Sequence, residues 1–292
     1  MLTAASLMKA IFSIFPKFFD TLSIEELAAL VREVGLDTVN MVVRDGYWVT
    51  EADLAVAAPA FVKAMATAGI HVHFCAAGFS AQQMIEDETP LKILADNGIT
   101  AFRMGYFFAE DGETPAVAMD RARGEMEEVA TICGRIGIKA VYQVHHGMLI
   151  ASPSAVFYLT RDLPEEAVGV MLDPGNQGFE GFEEWYRSVP LIGTRLRAIG
   201  VKDVTITRNP SEHDKPAKGW KHEWAPIDEG LTNWHALCHA LGQINFDGTF
   251  IWMPFVEPED QAANIRIIKR EVAYLRGILA EVTSPGGDAF GQ

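Results

Sequence analysis

Two polar strand ends stand out in an otherwise apolar chain: Tyr142-Gln143-Val144-His145-His146-Gly147 and Met171-Leu172-Asp173-Pro174-Gly175-Asn176. Each follows a short apolar, β-branched run, Lys139 to Val141 and Val168 to Val170. Side chains on a strand alternate faces, so Gln143 and His145 share one side, and Asp173 shares a side with Gly169 and Met171. His145 and His146 bring imidazoles that exchange protons near neutrality. Lys202, on the parity of Gly200, brings an ammonium suited to a carbonyl or phosphate oxygen or to an ion pair with Asp173. Asp203 has the opposite parity and is expected to be structural. Arg103, inside an apolar strand, is costly to bury unpaired, so it either meets an acid or holds an anionic substrate. Each has a plainer reading too: a strand-end histidine held by hydrogen bonds, or an aspartate that only orients the Pro174-Gly175 turn.

These groups act together only if their strands end side by side. Apolar runs at Ala10 to Phe15, Thr38 to Val43, His71 to Ala76, Ile99 to Phe107, Lys139 to His146, Val168 to Asp173, Leu196 to Val204 and Thr249 to Phe255 read as strands. Between them lie helical patterns. Ser23 with Glu26 forms a capping box, and Thr114-Pro115 and Ser152-Pro153 are N-caps followed by a first-turn proline. A helix is expected from about Ala81 to Ala95, interrupted by Pro90, and another near Phe182 to Val189. The second strand ends in Arg44-Asp45-Gly46-Tyr47-Trp48, a polar and aromatic loop of the kind that contacts a ligand. Thr205 to Gly230 shows no periodicity and reads as a long loop. Eight strands alternating with eight helices predict an α/β fold, a (β/α)8 TIM barrel. An open doubly wound sheet is disfavoured, because no Gly-x-Gly-x-x-Gly follows the first strand.

The 292 residues, 49% hydrophobic, predict one domain over residues 1–282 and a frayed, Gly-rich tail over 283–292. A formal net charge of -15 argues against nucleic acid or an anionic membrane surface as partner. Cys75, Cys133 and Cys238 lie far apart and suit buried thiols in a reducing compartment. The run from Ala10 to Phe15 is too short for a signal or membrane segment. A cytoplasmic protein with a small-molecule substrate is expected, and a homo-oligomer is compatible with the sequence.

Five motifs, in order, resemble the sugar phosphate isomerase/epimerase family, the xylose isomerase-like barrels: Tyr142-Gln143-Val144-His145, Leu172-Asp173-Pro174-Gly175-Asn176, Val201-Lys202-Asp203, Pro226-Ile227-Asp228-Glu229-Gly230 and Phe246-Asp247-Gly248. The resemblance implies a divalent metal held by Glu, Asp, His and Glu at the ends of strands five to eight, with the two Glu moving a proton between sugar carbons. Those positions correspond here to Gln143, Asp173, Gly200 and Met253, so Asp173 alone is kept. A neutral amide, no side chain and a thioether suit Mg²⁺ or Mn²⁺ poorly, so no cofactor is expected; Gln143, His145 and Asp173 are the residual candidates for holding a metal. The family reading implies a carbohydrate-active isomerase or epimerase-like enzyme, or a lyase or hydratase on a keto-sugar, that handles a proton beside a carbonyl. His145 or His146 is the expected base, with Lys202, Arg103 and Asp173 contacting substrate oxygens. Gln143, Asn176, Trp220 and His222 are expected substrate contacts, the segment holding His213, Trp220, His222 and Trp224 being suited to stacking on a sugar ring. The alternative is a barrel that has lost catalysis and binds a sugar or a partner subunit.

Overall fold

The computed structural model describes residues 10–209 and 219–282. Its strands are β1 (Ile11–Ile14), β2 (Thr38–Val39), β3 (Met41–Val42), β4 (Phe74–Ala76), β5 (Ala101–Arg103), β6 (Lys139–Gln143), β7 (Val168–Leu172), β8 (Leu196–Val201), β9 (Asp203–Arg208), β10 (Trp220–Ala225) and β11 (Thr249–Trp252). All but β9 and β10 form one parallel sheet in the order β2-β1-β11-β8-β7-β6-β5-β4-β3. β2 and β3 are halves of a single stave interrupted at Asn40. The first half pairs with β1 and the second with β4, so the sheet closes on itself as an eight-staved barrel.

Strand parity divides the apolar residues into two cores. Inward-facing Val42, Phe74, Val141, Met171, Ala198 and Ile251 fill the barrel. Their outward neighbours Val39, Cys75, Tyr142, Val170, Ile199 and Trp252 pack with the helices. Both sets are buried because a closed parallel sheet is covered on both faces. Burial also pushes the thiols of Cys133 and Cys238 up to about 12, which leaves them unreactive.

The outer layer is α1 (Ile24–Glu33), α2 (Leu54–Thr67), α3 (Ala81–Glu86), α4 (Thr89–Asp96), α5 (Pro115–Ile136), α6 (Pro153–Thr160), α7 (Pro174–Glu180), α8 (Trp185–Ile192), α9 (Trp234–Gln243) and α10 (Gln261–Val282). Ser23 and Glu26 form the reciprocal capping box at α1, and Thr114 and Ser152 accept from backbone N–H groups at the starts of α5 and α6. Among the described residues no helix is long and apolar enough to cross a membrane.

Four local expectations change. The helix expected over 81–95 is two helices, parted by the extended Asp87, with Pro90 in the first turn of the second. The strand expected over 99–107 keeps its ladder only over Ala101–Arg103. The helix expected from Phe182 is preceded by a separate one: Asp173 caps α7 with Pro174 in its first turn, and Gly181 ends it before α8. Within the segment expected to be loop over 205–230, the described residues include two antiparallel strands, with Trp220 opposite Arg208 and Trp224 opposite Val204. The expected tail over 283–292 and His213 lie outside the described residues.

Candidate active site

Every stave ends at the same mouth, where inward-facing strand residues and residues just beyond the strand ends line a cavity of about 180 Å³. Phe15, Phe74, Met171 and Ile251 form its apolar part. The polar lining is Lys17, Asn40, Arg44, Arg103, Tyr106, Gln143, His145 and Lys202, and Met253 and Phe255 complete it. Loop-borne polar groups over a rigid parallel barrel are where this architecture places its chemistry.

Asp173 and Lys202 organise the buried side of the mouth. Asp173 is fully buried. One carboxylate oxygen accepts from the Asn176 backbone N–H at 3.0 Å, capping α7. The other accepts from Gln143 Nε2 at 2.6 Å and lies 3.4 Å from Lys202 Nζ. Lys202, 5% exposed, also donates to Asn176 Oδ1 at 2.9 Å. Its ammonium sits 4.4 Å from the centre of the Trp224 ring and 4.9 Å from that of Phe255. Burial lowers the Lys202 pKa, and the Asp173 carboxylate opposes that shift.

The orientation of Gln143 follows from its neighbours. Tyr106 Oη donates to Gln143 Oε1 at 2.8 Å, which turns the amide nitrogen toward Asp173 and, at 3.9 Å, toward Met253 Sδ. His145 Nδ1 lies 2.8 Å from the His146 carbonyl. A carbonyl only accepts, so the neutral ring carries its proton on Nδ1 and leaves Nε2 as a base. Nε2 has no hydrogen-bond partner among the described residues. Desolvation lowers the His145 pKa, against the bond to the His146 carbonyl, while the Lys202 charge lowers it further.

The sequence-derived candidates fall into three groups. Gln143, His145, Lys202 and Arg103 line the cavity. Asp173 and Asn176 lie behind it and hold Lys202 in place. His146, Trp220 and His222 are outside the lining. His146 bonds Asn176 Oδ1 through Nδ1 at 2.9 Å and stacks between His145 and Phe179, with ring centroids 4.6 and 4.3 Å away. His222 stacks on the other side of Phe179 at 4.8 Å, and Trp220 is exposed on the hairpin, beside Arg208. From the hairpin, Trp224 packs over the Lys202 ammonium. Lys17, Asn40, Tyr106 and Phe255 also line the cavity, although the sequence reading singles out none of them. Their shared signal is a polar or aromatic residue one to three places beyond a strand end. Asp203, as its parity predicts, is structural: it accepts from Val204, Leu231, Thr232 and Trp234.

The four positions that the resemblance assigns to a metal site, Gln143, Asp173, Gly200 and Met253, do converge. Gln143 touches Asp173 and Met253, and a Cβ built on Gly200 would stand 2.9 Å from Asp173 Oδ2. Their chemistry does not suit a divalent cation. Around the single carboxylate stand an amide N–H, an ammonium and a thioether, two of them donors aimed at the oxygen a metal would need. No group of three or more His, Cys, Asp or Glu side chains is arranged to hold a metal among the described residues.

A family model described as xylose isomerase-like TIM barrel matches residues 28–278. Among solved structures, D-psicose 3-epimerase with D-tagatose from Clostridium cellulolyticum aligns at TM-score 0.68 and 14% identity, over 92% of this chain and 99% of that one. The 3-keto-D-glucoside 4-epimerase of E. coli aligns at 0.66 and 16%, over 92% and 100%. A xylose isomerase-like TIM barrel protein from Mycobacterium smegmatis in complex with magnesium aligns at 0.63 and 14%, over 97% and 100%. A search of curated protein sequences finds no match.

Proposed function

Because the chain belongs to the xylose isomerase-like TIM-barrel family, we propose that it is a carbohydrate-active enzyme of isomerase or epimerase type, which moves a proton on carbon beside a carbonyl and uses the Lys202 ammonium in place of a divalent metal. The observation that carries this reading is the placement of Lys202: a buried cation lining the cavity, 3.4 Å from Asp173, where the four family ligand positions meet. Two of the similar solved structures are a D-psicose 3-epimerase and a 3-keto-D-glucoside 4-epimerase, which supports the reaction class.

In this mechanism His145 Nε2 takes the proton from the carbon next to the carbonyl. As negative charge grows on the carbonyl oxygen, Lys202 stabilises it by a charge-assisted hydrogen bond. Return of the proton to the former carbonyl carbon, while the enediol hydroxyl proton passes to the former carbonyl oxygen, isomerises the sugar; uptake of a solvent proton on the opposite face of the first carbon, with the proton on His145 lost to solvent, epimerises it. Asp173 and Asn176 hold the ammonium, and Tyr106 fixes the Gln143 amide. The aromatic rings of Trp224 and Phe255 shield the ion pair from water.

The test is exchange of carbon-bound hydrogen for solvent deuterium, followed by proton NMR, over a panel of ketoses, keto-sugar acids and sugar phosphates. Exchange is expected to survive EDTA and to fall about 10²–10⁴-fold in His145→Ala and about 10²–10³-fold in Lys202→Met. Loss of exchange on chelation, with recovery on adding Mg²⁺ or Mn²⁺, would overturn the metal-free mechanism. The second reading, a barrel that binds a sugar without turning it over, is favoured by the absence of both family carboxylates, at Gln143 and Met253. Binding of a panel member without exchange would establish it.

A further inference from the structure

The cavity carries more positive charge than the proposed proton transfer requires. Four of its lining residues, Lys17, Arg44, Arg103 and Lys202, are cationic, and no carboxylate lines it, although the chain as a whole has a net charge of -15. Asp173, behind the lining, balances Lys202. The other three have no acidic partner within ion-pair distance among the described residues.

Arg103 is the decisive member. It is 8% exposed, and its Nη2 donates to the Ala77 carbonyl at 3.1 Å. Its guanidinium carbon stands 5.4 Å from the centre of the Tyr106 ring. A buried guanidinium that meets no carboxylate among the described residues is an expensive arrangement, relieved when an anion completes it. Lys17 and Arg44 stand at the same cavity and repel each other; burial and then the Arg44 charge hold the Lys17 ammonium below its ordinary value. Such like-charge crowding raises the local concentration of anions.

We propose that the substrate carries an anionic group, a carboxylate or a phosphate, which pairs with the Arg103 fork and is drawn in by Lys17 and Arg44. The proposal rests on the cavity being the substrate site and names the class of sugar that fits it: a sugar acid or a sugar phosphate rather than a neutral sugar. A planar guanidinium takes either anion through two parallel hydrogen bonds, which gives direction as well as charge.

The experiment is thermal unfolding and calorimetric titration of the full chain with inorganic phosphate, D-glucuronate and D-glucose at matched ionic strength. Phosphate or D-glucuronate is expected to raise the unfolding midpoint, and D-glucose to leave it unchanged. Protection by phosphate alone assigns a phosphorylated sugar, and protection by D-glucuronate assigns a sugar acid. Arg103→Gln is expected to abolish the response without lowering the midpoint of the unliganded protein, which a purely structural arginine would lower. Arg44→Gln, at an exposed position that does not endanger folding, is expected to weaken anion binding about tenfold. The proposal is overturned if neither anion protects, if D-glucose protects as well as the anions, or if both variants respond like the wild type. Deuterium exchange into a neutral ketose would overturn it while leaving the proton-transfer reading intact; anion binding with no exchange into any panel member would do the reverse.

Discussion

Replacing Asp173 by asparagine tests whether Lys202 is held as an ammonium. Asparagine keeps the shape and remains a good N-cap for α7, so the change is confined to the negative charge beside Lys202 Nζ. Removing one partner of a buried ion pair typically costs about 3–5 kcal/mol. Here a ceiling exists, because the stranded ammonium can lose its proton. At pH 7, neutralising a lysine whose ordinary value is 10.5 costs about 1.4 kcal/mol for each pH unit of the gap, roughly 5 kcal/mol in all. At pH 9 the same ceiling is about 2 kcal/mol. In the variant, burial without Asp173 depresses the folded-state value of Lys202 further, so the unfolded chain binds more protons and stability rises with pH up to the ordinary lysine range. The difference between wild type and Asp173→Asn is therefore expected to shrink between pH 7 and pH 9 by up to about 3 kcal/mol. Urea unfolding at the two pH values, followed by tryptophan fluorescence, measures it. Adding Lys202→Met to the variant is expected to restore much of the lost stability. A small difference that does not change with pH would mean that Lys202 is already neutral in the wild type, and the ammonium could not stand in for a metal.

Three further predictions follow from the same contacts. Burial lowers the His145 pKa from its ordinary value of 6.5, so the acid limb of the exchange rate is expected to fall below pH 6.5; a limb at or above that value would remove His145 as the base. Glu271 is buried, accepts from the Ile227 N–H at 3.0 Å, and is pushed up to about 8. Its folded-state value lies above its unfolded one, so its contribution is present at acid pH and lost as pH rises from 4.5 toward 8; Glu271→Gln is expected to be more stable than wild type at pH 7 and to lose that pH dependence in urea titrations. Gly178 on α7 lies against β9, where a Cβ would overlap Val204 Cγ1, so Gly178→Ala is expected to cost about 1–3 kcal/mol by overpacking, read in the same unfolding assay.

Much of the framework was legible because it depends on local rules. Period-two alternation put Gln143 with His145 and Lys202 with Gly200 and turned Asp203 away; in the barrel Gln143, His145 and Lys202 line one cavity, and Asp203 does not. Capping chemistry at Ser23, Thr114 and Ser152 marked helix starts within a residue, since an N-cap acts on backbone groups only two or three positions away. The hairpin was not legible. Its strands, Asp203–Arg208 and Trp220–Ala225, are mixed in polarity and held by pairing across a segment rather than by a buried face, so the periodicity is weak. Helix α7 was hidden by Gly175 and Gly178, poor helix formers that are there for close packing against Lys202 and Val204.

The sequence by itself determined the barrel and the strand parity of Gln143, His145, Lys202 and Asp203, because each depends on residue identity and short-range spacing. Only the tertiary structure decided that Gln143 turns an N–H toward Asp173 and that Lys202 occupies the node they share. It alone gathered Lys17, Arg44 and Arg103 around one cavity, with no carboxylate in its lining. The physical reason is that charge balance and hydrogen-bond direction are properties of neighbours in space, and closing the barrel makes neighbours of residues as distant along the chain as Lys17 and Lys202.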